Sequence, residues 1–244
     1  MSFNTDKVVI FDFDGTLTFN TPNPYISLLR RAGVSQRICK KLLNSKLVNS
    51  PRFLKIGMRM CSMVIKNAQI TKEEFKDIAE KTQLLPLARE CLRSLHENGY
   101  KLYIVSDSIV PVIKSALSED NDIFDGVYGF DIEWTNQNTF AKLKNSKGKV
   151  AHIKDILIDN NLPASHALYF GNGANDLCVK QTGVQTCCLN PENSHAKPEN
   201  SKFWDYKLEN VKNFSIVYNF ITEMFASHLY LPSHTQTAEP CEKI

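Results

Sequence analysis

The sequence Phe11-Asp12-Phe13-Asp14-Gly15-Thr16-Leu17-Thr18 follows the apolar run Val8-Val9-Ile10 near the start of the chain. The apolar run predicts a buried β-strand, and the two aspartates then stand at its C-terminal end. Two carboxylates two residues apart repel each other unless a cation or a shared proton offsets their charge, so this spacing indicates a metal site. Asp-Gly is also common in simple turns, and the segment taken alone is compatible with one.

Three later segments place polar residues after predicted strands or before a predicted helix. They are Tyr103-Ile104-Val105-Ser106-Asp107-Ser108, then Lys147-Gly148-Lys149, and finally Gly171-Asn172-Gly173-Ala174-Asn175-Asp176 after the apolar Ala167-Leu168-Tyr169-Phe170. In chain order, the four segments supply a carboxylate pair, a hydroxyl, a cation and a further acid. This ordered set favours a reaction centre over an isolated turn.

Strand and helix patterns alternate along most of the chain, which predicts an α/β fold with a parallel sheet covered on both faces. The predicted central strands are residues 7–13, 101–106, 167–170 and 184–188. Apolar residues at three- and four-residue spacing predict helices over residues 87–98, 110–119, 150–159 and 174–182. The aromatic alternation over residues 124–144 predicts a hairpin or flap beside the site. Residues 21–83 show helical periodicity without a strand pattern and predict a helical insertion.

The order and chemistry of the four segments resemble the haloacid dehalogenase-like phosphohydrolases, in particular the branch that contains phosphoserine phosphatase. The resemblance covers about residues 7–190 and rests on the series, because each short motif alone is weak. It implies a Rossmann-like core, a doubly wound parallel sheet formed by residues 1–20 and 84–225. The insertion at residues 21–83 takes the place of the helical cap that chooses the substrate in this family. Residues 226–244 lack periodicity and predict a flexible tail.

The resemblance also implies hydrolysis of a phosphate monoester through a covalent intermediate. Asp12 would be the nucleophile that becomes a phosphoaspartate. Asp14 would protonate the leaving alkoxide and later activate water. Because the substrate is a dianion, the attacking carboxylate needs a cation that screens its approach and fixed donors for the phosphoryl oxygens.

Ser106 and Lys147 are the expected donors to the phosphoryl group. Lys147 is chosen because it stands immediately before Gly148 and the predicted helix, as the family's lysine does, while Lys149 remains open as the alternative. The expected phosphate-binding set is completed by Asp107, Gly15 and Thr16.

Mg²⁺ is the cofactor that the resemblance implies, since this hard cation prefers oxygen ligands. The expected ligands are Asp12, Asp14 through its backbone carbonyl, Asn172 and Asp176. The family pattern Gly-Asp-Gly-x-Asn-Asp has an aspartate where this chain has Asn172. Losing that charge weakens metal binding, so two interpretations stay open: an active phosphatase with lower magnesium affinity, and a phosphate-binding protein with little or no turnover.

The predicted cap is strongly basic. Between Phe19 and Lys72 there is no Asp or Glu, and the run contains Arg30, Arg31, Arg37, Lys40, Lys41, Lys46, Arg52, Lys55, Arg59, Lys66 and Lys72, although the net charge of the whole chain is only +3. These side chains are compatible with a solvated helix exterior. They also fit an anionic partner: a phosphorylated small molecule, a lipid phosphate, an anionic membrane surface or nucleic acid.

Phosphoserine itself is disfavoured as the substrate, because residues 18–24 offer no carboxylate for its ammonium group. Apolar residues occur within the basic run and fit a lipid contact, although methionine and leucine at helical spacing also typify a cap core. They are Phe53, Leu54, Ile56, Met58, Met60, Met63 and Ile65.

Composition is that of an ordinary soluble globular protein, with 43% hydrophobic and 23% charged residues among 244. The seven cysteines show no paired metal-ligand spacing, which predicts reduced thiols. The first residues lack the features of a signal peptide, and we expect a cytoplasmic protein. The sequence leaves the oligomeric state open.

Functions from other classes account for less of the sequence. A nucleic-acid-binding module would explain the basic run but not the ordered acids, hydroxyl and lysine. The six histidines have no ligand spacing, and no Gly-x-Ser-x-Gly motif is present, which disfavours a zinc or a serine hydrolase.

Overall fold

The structure is a computed structural model that describes residues 7–19, 24–43, 51–144, 146–191 and 203–227. Its strands are β1 (Lys7–Phe11), β2 (Tyr100–Ile109), β3 (Gly126–Trp134), β4 (Phe140–Lys144), β5 (Ala167–Gly171), β6 (Gln185–Leu189) and β7 (Tyr206–Leu208). Its helices are α1 (Pro24–Arg31), α2 (Gln36–Leu43), α3 (Pro51–Asn67), α4 (Lys72–Ala79), α5 (Ala88–Glu97), α6 (Val110–Leu117), α7 (Lys149–Asp159) and α8 (Ser215–Ser227).

All seven strands form one sheet in the order β4-β3-β2-β1-β5-β6-β7. Every neighbouring pair is parallel except the antiparallel β3 and β4. The central strand β1 is a continuous apolar run because both of its faces are covered, as is typical of parallel sheets. The predicted doubly wound α/β fold is confirmed.

Side chains of β1 alternate between two hydrophobic clusters on opposite faces of the sheet. Val9 and Phe11 belong to the cluster that includes residues of α5, α6 and α8. Val8 and Ile10 belong to the second cluster, which includes Ile153 and Ile156 of α7. This period of two fixes which face each strand residue occupies and so anchors the strand ends that carry polar residues.

Element boundaries differ from the sequence predictions in ways that matter for the site. The first strand ends at Phe11 rather than residue 13, and the second continues to Ile109 through a register shift after Val105. Residues 174–182 form a 3₁₀ helix rather than an α-helix. The last helix, α8, runs to Ser227 and so includes the first two residues of the predicted tail, while residues 228–244 lie outside the described residues.

The helical insertion, by which we mean α1–α4, begins and ends at neighbouring points. An isolated antiparallel bridge joins Thr18 to Leu84, and the Leu85 N–H donates to the Leu17 carbonyl at 2.8 Å. These contacts close the base of the insertion near its predicted limits. Across the described residues, no helix is long and apolar enough to span a bilayer.

The predicted hairpin is present as β3 and β4, and it supports the insertion. The Leu143 N–H donates to Ser62 Oγ of α3 at 3.0 Å. Phe75 of α4 meets Trp134 edge to face, with ring centroids 5.6 Å apart. The hairpin therefore connects the insertion to the edge of the main sheet.

Candidate active site

At least one polar residue from each of the four sequence segments lies at the carboxyl edge of the sheet. Asp12 directly follows β1, and its backbone N–H donates to the Phe170 carbonyl of β5 at 2.8 Å. Ser106 lies in β2 on the other side of β1, and Asn172 directly follows β5. Adjacent strands whose connections leave in opposite directions open a crevice at this edge, where ligands of α/β folds bind.

Lys149 is the cation of this crevice. Its Nζ lies 3.0 Å from Asp12 Oδ1 and 4.0 Å from Asp107 Oδ2, and it also contacts Asp176 Oδ1. The side chain is buried. Burial alone lowers the pKa of Lys149, but attraction by Asp12 and Asp176 outweighs it and holds the pKa well above the ordinary lysine value.

The predicted position of Lys147 beside Asp12 is wrong. Its side chain is 68% exposed, and its Nζ donates to Asp155 on α7 at 2.9 Å. Lys149 takes the position because it is the first residue of α7 and lies four and seven residues before Ile153 and Ile156, which are buried against the sheet. Extending that apolar stripe backwards would have selected Lys149 from the sequence.

Asp12 and Asp14 are both in buried surroundings that disfavour the ionised carboxylate. Burial raises the pKa of Asp12 to about 7, with Lys149 lowering it and Asp176 raising it in turn. Burial likewise raises the pKa of Asp14 to about 6, while Ser108 and Lys149 lower it and Asp107 raises it. Two carboxyl groups that titrate near neutrality at one strand end are suited to nucleophilic and acid–base roles.

Asp176 has no oxygen left for a metal. Its Oδ1 accepts from the Tyr169 hydroxyl at 2.6 Å and from Lys149, and its Oδ2 accepts from the backbone N–H groups of Asn172 at 3.0 Å and Gly173 at 2.8 Å. The side chain is fully buried. Contrary to the sequence prediction, this geometry makes Asp176 a support for Lys149 and for the loop after β5 rather than a metal ligand.

Gly171 is required by this arrangement. A Cβ added there would lie 2.6 Å from Asp176 Cγ, closer than any carbon contact allows. The glycine therefore lets the loop backbone close over the Asp176 carboxylate.

Asp107 links the crevice to the insertion. Its Oδ2 accepts from Asn175 Nδ2 at 3.0 Å, and its backbone carbonyl accepts from the Tyr25 hydroxyl of α1 at 2.8 Å. Sequence reasoning missed Tyr25, Asn175 and Tyr169. Tyr169 reads as one more apolar residue of a buried strand, and the partner of Tyr25 lies 82 positions away in the chain.

The remaining predicted phosphate residues lie in the turn after β1. Gly15 has a φ of +78°, which the turn requires and glycine accepts without strain. Thr16 is buried, and its backbone N–H donates to the Phe13 carbonyl at 3.2 Å. Thr16 therefore shapes the turn that carries Asp14.

The donors suit a hard cation. Among the described residues, no group of three or more His, Cys, Asp or Glu side chains is arranged to hold a metal ion. Asp12 and Asn172 nevertheless bring a carboxylate and an amide oxygen to the ends of two neighbouring strands, and Asp14, whose backbone carbonyl is the third expected ligand, follows in the turn after β1. Oxygen donors are what Mg²⁺ prefers. Asp12 Oδ1 is buried and forms an ion pair with Lys149, but it has no hydrogen bond of good geometry among the described residues. This oxygen can therefore coordinate a metal ion.

Comparison with known proteins places the sequence in a family. Residues 9–179 match the family model of the haloacid dehalogenase-like hydrolases. The chain is 24% identical over 189 residues to a phosphoserine phosphatase of Archaeoglobus fulgidus, covering 75% of this chain and 53% of the relative. It is 21% identical over 186 residues to phosphoserine phosphatase SerB2 of Mycobacterium tuberculosis, covering 72% of this chain and 42% of the relative. The chain thus spans about half the length of these relatives.

Solved structures share the fold. The apo form of a phosphoserine phosphatase superposes with a TM-score of 0.70 at 16% identity, covering 88% of this chain and 98% of that one. A phospho-aspartyl intermediate analogue of phosphoserine phosphatase has a TM-score of 0.67 at 18% identity with the same coverage. Because this family model matches well over half of the sequence, the chain belongs to the haloacid dehalogenase-like hydrolase family.

Proposed function

We propose that the protein hydrolyses phosphate monoesters through a phosphoaspartate on Asp12. The observation that carries this proposal is the buried pair of Asp12 and Lys149, whose Oδ1 and Nζ are 3.0 Å apart at the end of the central strand. A carboxylate can approach a dianionic phosphate only where fixed positive charge offsets the repulsion, and Lys149 supplies such a charge. Membership of the hydrolase family supports the same chemistry.

Ser106 and Lys149 bind the phosphoryl oxygens in this proposal. Ser106 Oγ accepts a hydrogen bond from the Ser108 N–H at 3.1 Å, so its own hydroxyl remains a donor. That hydroxyl interacts with the Asp12 carboxylate, and in this proposal it donates to a phosphoryl oxygen when substrate is bound. Lys149, held by Asp176, keeps its ammonium group in place without reorganising during the reaction.

The first half-reaction forms the bond between an Asp12 carboxylate oxygen and phosphorus as the ester P–O bond breaks. Asp14 gives a proton to the departing alkoxide, and its raised pKa of about 6 makes the acid form accessible near neutral pH. In the second half-reaction, Asp14 takes a proton from a water molecule whose oxygen attacks phosphorus. The Asp12–phosphorus bond then breaks, releasing inorganic phosphate.

The charge of the crevice calls for a further cation. One lysine faces four carboxyl groups: Asp12, Asp14, Asp107 and Asp176. We propose that the Asp12 carboxylate, the backbone carbonyl of Asp14 and the Asn172 amide would hold Mg²⁺, which would offset part of the negative charge of the crevice and of the phosphoryl group. The neutral amide of Asn172 contributes less attraction than a carboxylate, so the affinity for magnesium is low.

A noncatalytic phosphate-binding protein is the second candidate, and Asn172 is the observation that favours it. With the Asp176 oxygens engaged by four donors and Asn172 neutral, Asp12 is the one charged ligand left in the predicted set. If the metal is held too weakly, Ser106 and Lys149 still bind phosphate but turnover stops.

The substrate class we propose is a phosphorylated small molecule or a lipid phosphate, without a requirement for an ammonium group. The first acids of the insertion are Glu73 and Glu74, and Glu74 is already paired with Arg31. The six cysteines among the described residues are free thiols, which supports a reducing, cytoplasm-like compartment.

Hydrolysis of p-nitrophenyl phosphate across a magnesium titration tests the proposal. The wild-type chain is compared with Asp12→Asn and Asn172→Asp. We expect Asp12→Asn to abolish turnover and Asn172→Asp to lower the magnesium concentration needed for half-maximal rate about tenfold or more. Turnover that persists in Asp12→Asn contradicts the mechanism. A wild-type chain that is inactive at saturating magnesium but active as Asn172→Asp establishes the second candidate.

A further inference from the structure

The solvent side of α3 carries a stripe of large apolar side chains. Ile56, Met60 and Met63 are 50%, 61% and 65% exposed. Their spacing of four and three residues places them on one helical face, opposite the buried Met58 and Ile65. The sequence interpretation of these residues as cap core therefore holds for the buried pair and fails for the exposed stripe.

Cations flank this stripe without opposing charge. Arg59 and Lys66 lie four residues before and three after Met63, and both are exposed. Neither side chain has an ion pair or hydrogen bond with another described residue. Helix α2 repeats the pattern, with exposed Ile38 between exposed Arg37 and Lys41. No acidic residue occurs in the sequence from Phe19 to Lys72, so nothing in this stretch neutralises these cations.

We propose that the α3 surface, defined as Ile56, Arg59, Met60, Met63 and Lys66, docks on an anionic phospholipid bilayer. A bilayer interface can bind both the cationic and the apolar side chains of this surface at the same time. Headgroup phosphates attract the arginine and lysine, while the isoleucine and methionine side chains enter the boundary with the acyl chains. Exposed methionine suits such a boundary because its flexible, unbranched side chain adapts to irregular surroundings.

Two other occupants fit less well. A second copy docked through the same face would place its own Arg59 and Lys66 close to these, since a twofold interface uses one patch twice. Nucleic acid would pair with the cations but would leave the apolar stripe in water, and neither isoleucine nor methionine provides the aromatic ring on which bases stack. Charge complementarity and apolar exposure together favour the bilayer.

The inference stands apart from the proposed chemistry. None of the five residues belongs to the catalytic cluster, and vesicle binding is measured without substrate. Helix α1 packs against α3, and the hydroxyl of Tyr25 on α1 donates a hydrogen bond to the Asp107 carbonyl. Docking through α3 would therefore hold the insertion and the mouth of the crevice near the lipid surface.

Cosedimentation of the full chain with vesicles tests the proposal. We use phosphatidylcholine vesicles with and without about one third phosphatidylglycerol. Binding is expected to the mixed vesicles and not to phosphatidylcholine alone. The double variant Arg59→Gln/Lys66→Gln is expected to lower the partition coefficient about 25-fold, or about fivefold for each cation. Met60→Ser/Met63→Ser is expected to lower it about tenfold.

A matched control lies on α7. Lys154 is exposed and Ile158 is 75% exposed one turn later, outside the α3 surface. Lys154→Gln/Ile158→Ser removes the same kinds of side chain and is expected to bind vesicles as the wild type does. Circular dichroism and thermal unfolding verify that all variants fold.

Three results would overturn the proposal. They are equal partition onto neutral and anionic vesicles, equal binding by the α3 variants and the α7 control, and absence of vesicle binding by the folded wild type. In the last case, sedimentation velocity and duplex RNA binding identify whether the same variants instead disrupt a dimer or a nucleic-acid complex.

Discussion

The carboxyl edge of the sheet and the outer surface of the helical insertion use charge in opposite ways. At the sheet edge, Lys149 is buried and surrounded by carboxyl groups, each held by named partners. On the insertion, Arg59 and Lys66 are exposed in a stretch of sequence without any acid. The net charge of +3 averages these two regions and describes neither. A charged residue is therefore interpreted by its burial and its partners rather than by its sign.

Substitution of the two lysines on either side of Gly148 should produce the largest difference in activity between a buried and an exposed charge. Lys149→Met removes the fixed ammonium group beside Asp12, and we expect kcat/KM for p-nitrophenyl phosphate to fall about a thousandfold. Lys147→Met removes an exposed cation paired with Asp155, and we expect kcat/KM to stay within about twofold of the wild type.

The methionine substitutions keep the length and most of the volume of the side chain, and circular dichroism verifies folding. Equal activity of the two variants would break the distinction between buried and exposed lysine. Loss of activity in Lys147→Met alone would return the phosphate-binding role to the residue first chosen from the sequence.

The acids that pair with these lysines form a second matched set. Asp176→Ala strands the Lys149 ammonium group, the Tyr169 hydroxyl and two backbone N–H groups in the interior, which should cost about 3–5 kcal/mol of unfolding free energy. Asp155→Ala releases Lys147 into solvent and should leave the urea midpoint unchanged within error. Urea denaturation measures both, and similar midpoints for the two variants would refute the buried network.

Tyr169 sharpens the comparison within the buried region. Its hydroxyl donates to Asp176 at 2.6 Å and accepts from Lys149 at 3.2 Å, so it is a positioning residue for the ammonium group. Tyr169→Phe should lower kcat about tenfold with a smaller change in KM, and should reduce stability by about 1 kcal/mol.

Tyr103→Phe is the matched control for Tyr169. The Tyr103 hydroxyl accepts from Asn160 Nδ2 at 2.9 Å, in the same hydrophobic cluster but away from Asp12. We expect a comparable loss of stability with kcat unchanged. A similar fall in kcat for both variants would mean that Tyr169 acts through general stability.

The smallest effect is expected at an exposed ion pair of the insertion. Arg31 and Glu74 join α1 to α4 at the surface, and both side chains are accessible to water. Arg31→Gln should leave the thermal midpoint unchanged within error, because screening and side-chain entropy offset the attraction. A clear drop in the midpoint would show that charges on the insertion are as important to folding as those at the sheet edge.

Sequence patterns located the parts of the site that lie at strand ends. Asp12 and Asp14 follow a continuous apolar strand, and Ser106 lies in another, so sheet geometry alone brings them to one edge. The choice between Lys147 and Lys149 depended on the buried face of α7, which the apolar residues Ile153 and Ile156 mark. The fold class followed from the alternation of strand and helix patterns along the chain.

Contacts between distant segments were not predictable in the same way. Tyr25 reaches Asp107 from a different helix, and Tyr169 has the pattern of a core residue until its hydroxyl is seen at Asp176. The exposed stripe of α3 was also ambiguous in the sequence. Met58 is buried and Met60 is exposed, although both are methionines in the same apolar run. Such distinctions depend on tertiary packing, which a single sequence does not encode locally.

Trapping the covalent intermediate tests the central claim most directly. The wild-type chain is mixed with p-nitrophenyl phosphate and magnesium, quenched in acid within the first turnover, digested and analysed by mass spectrometry, with Asp12→Asn as the control. We predict one added phosphoryl group on the peptide that contains Asp12, and none in the variant. Phosphate release without a phosphorylated Asp12 peptide, or the same adduct in Asp12→Asn, would contradict the proposed mechanism.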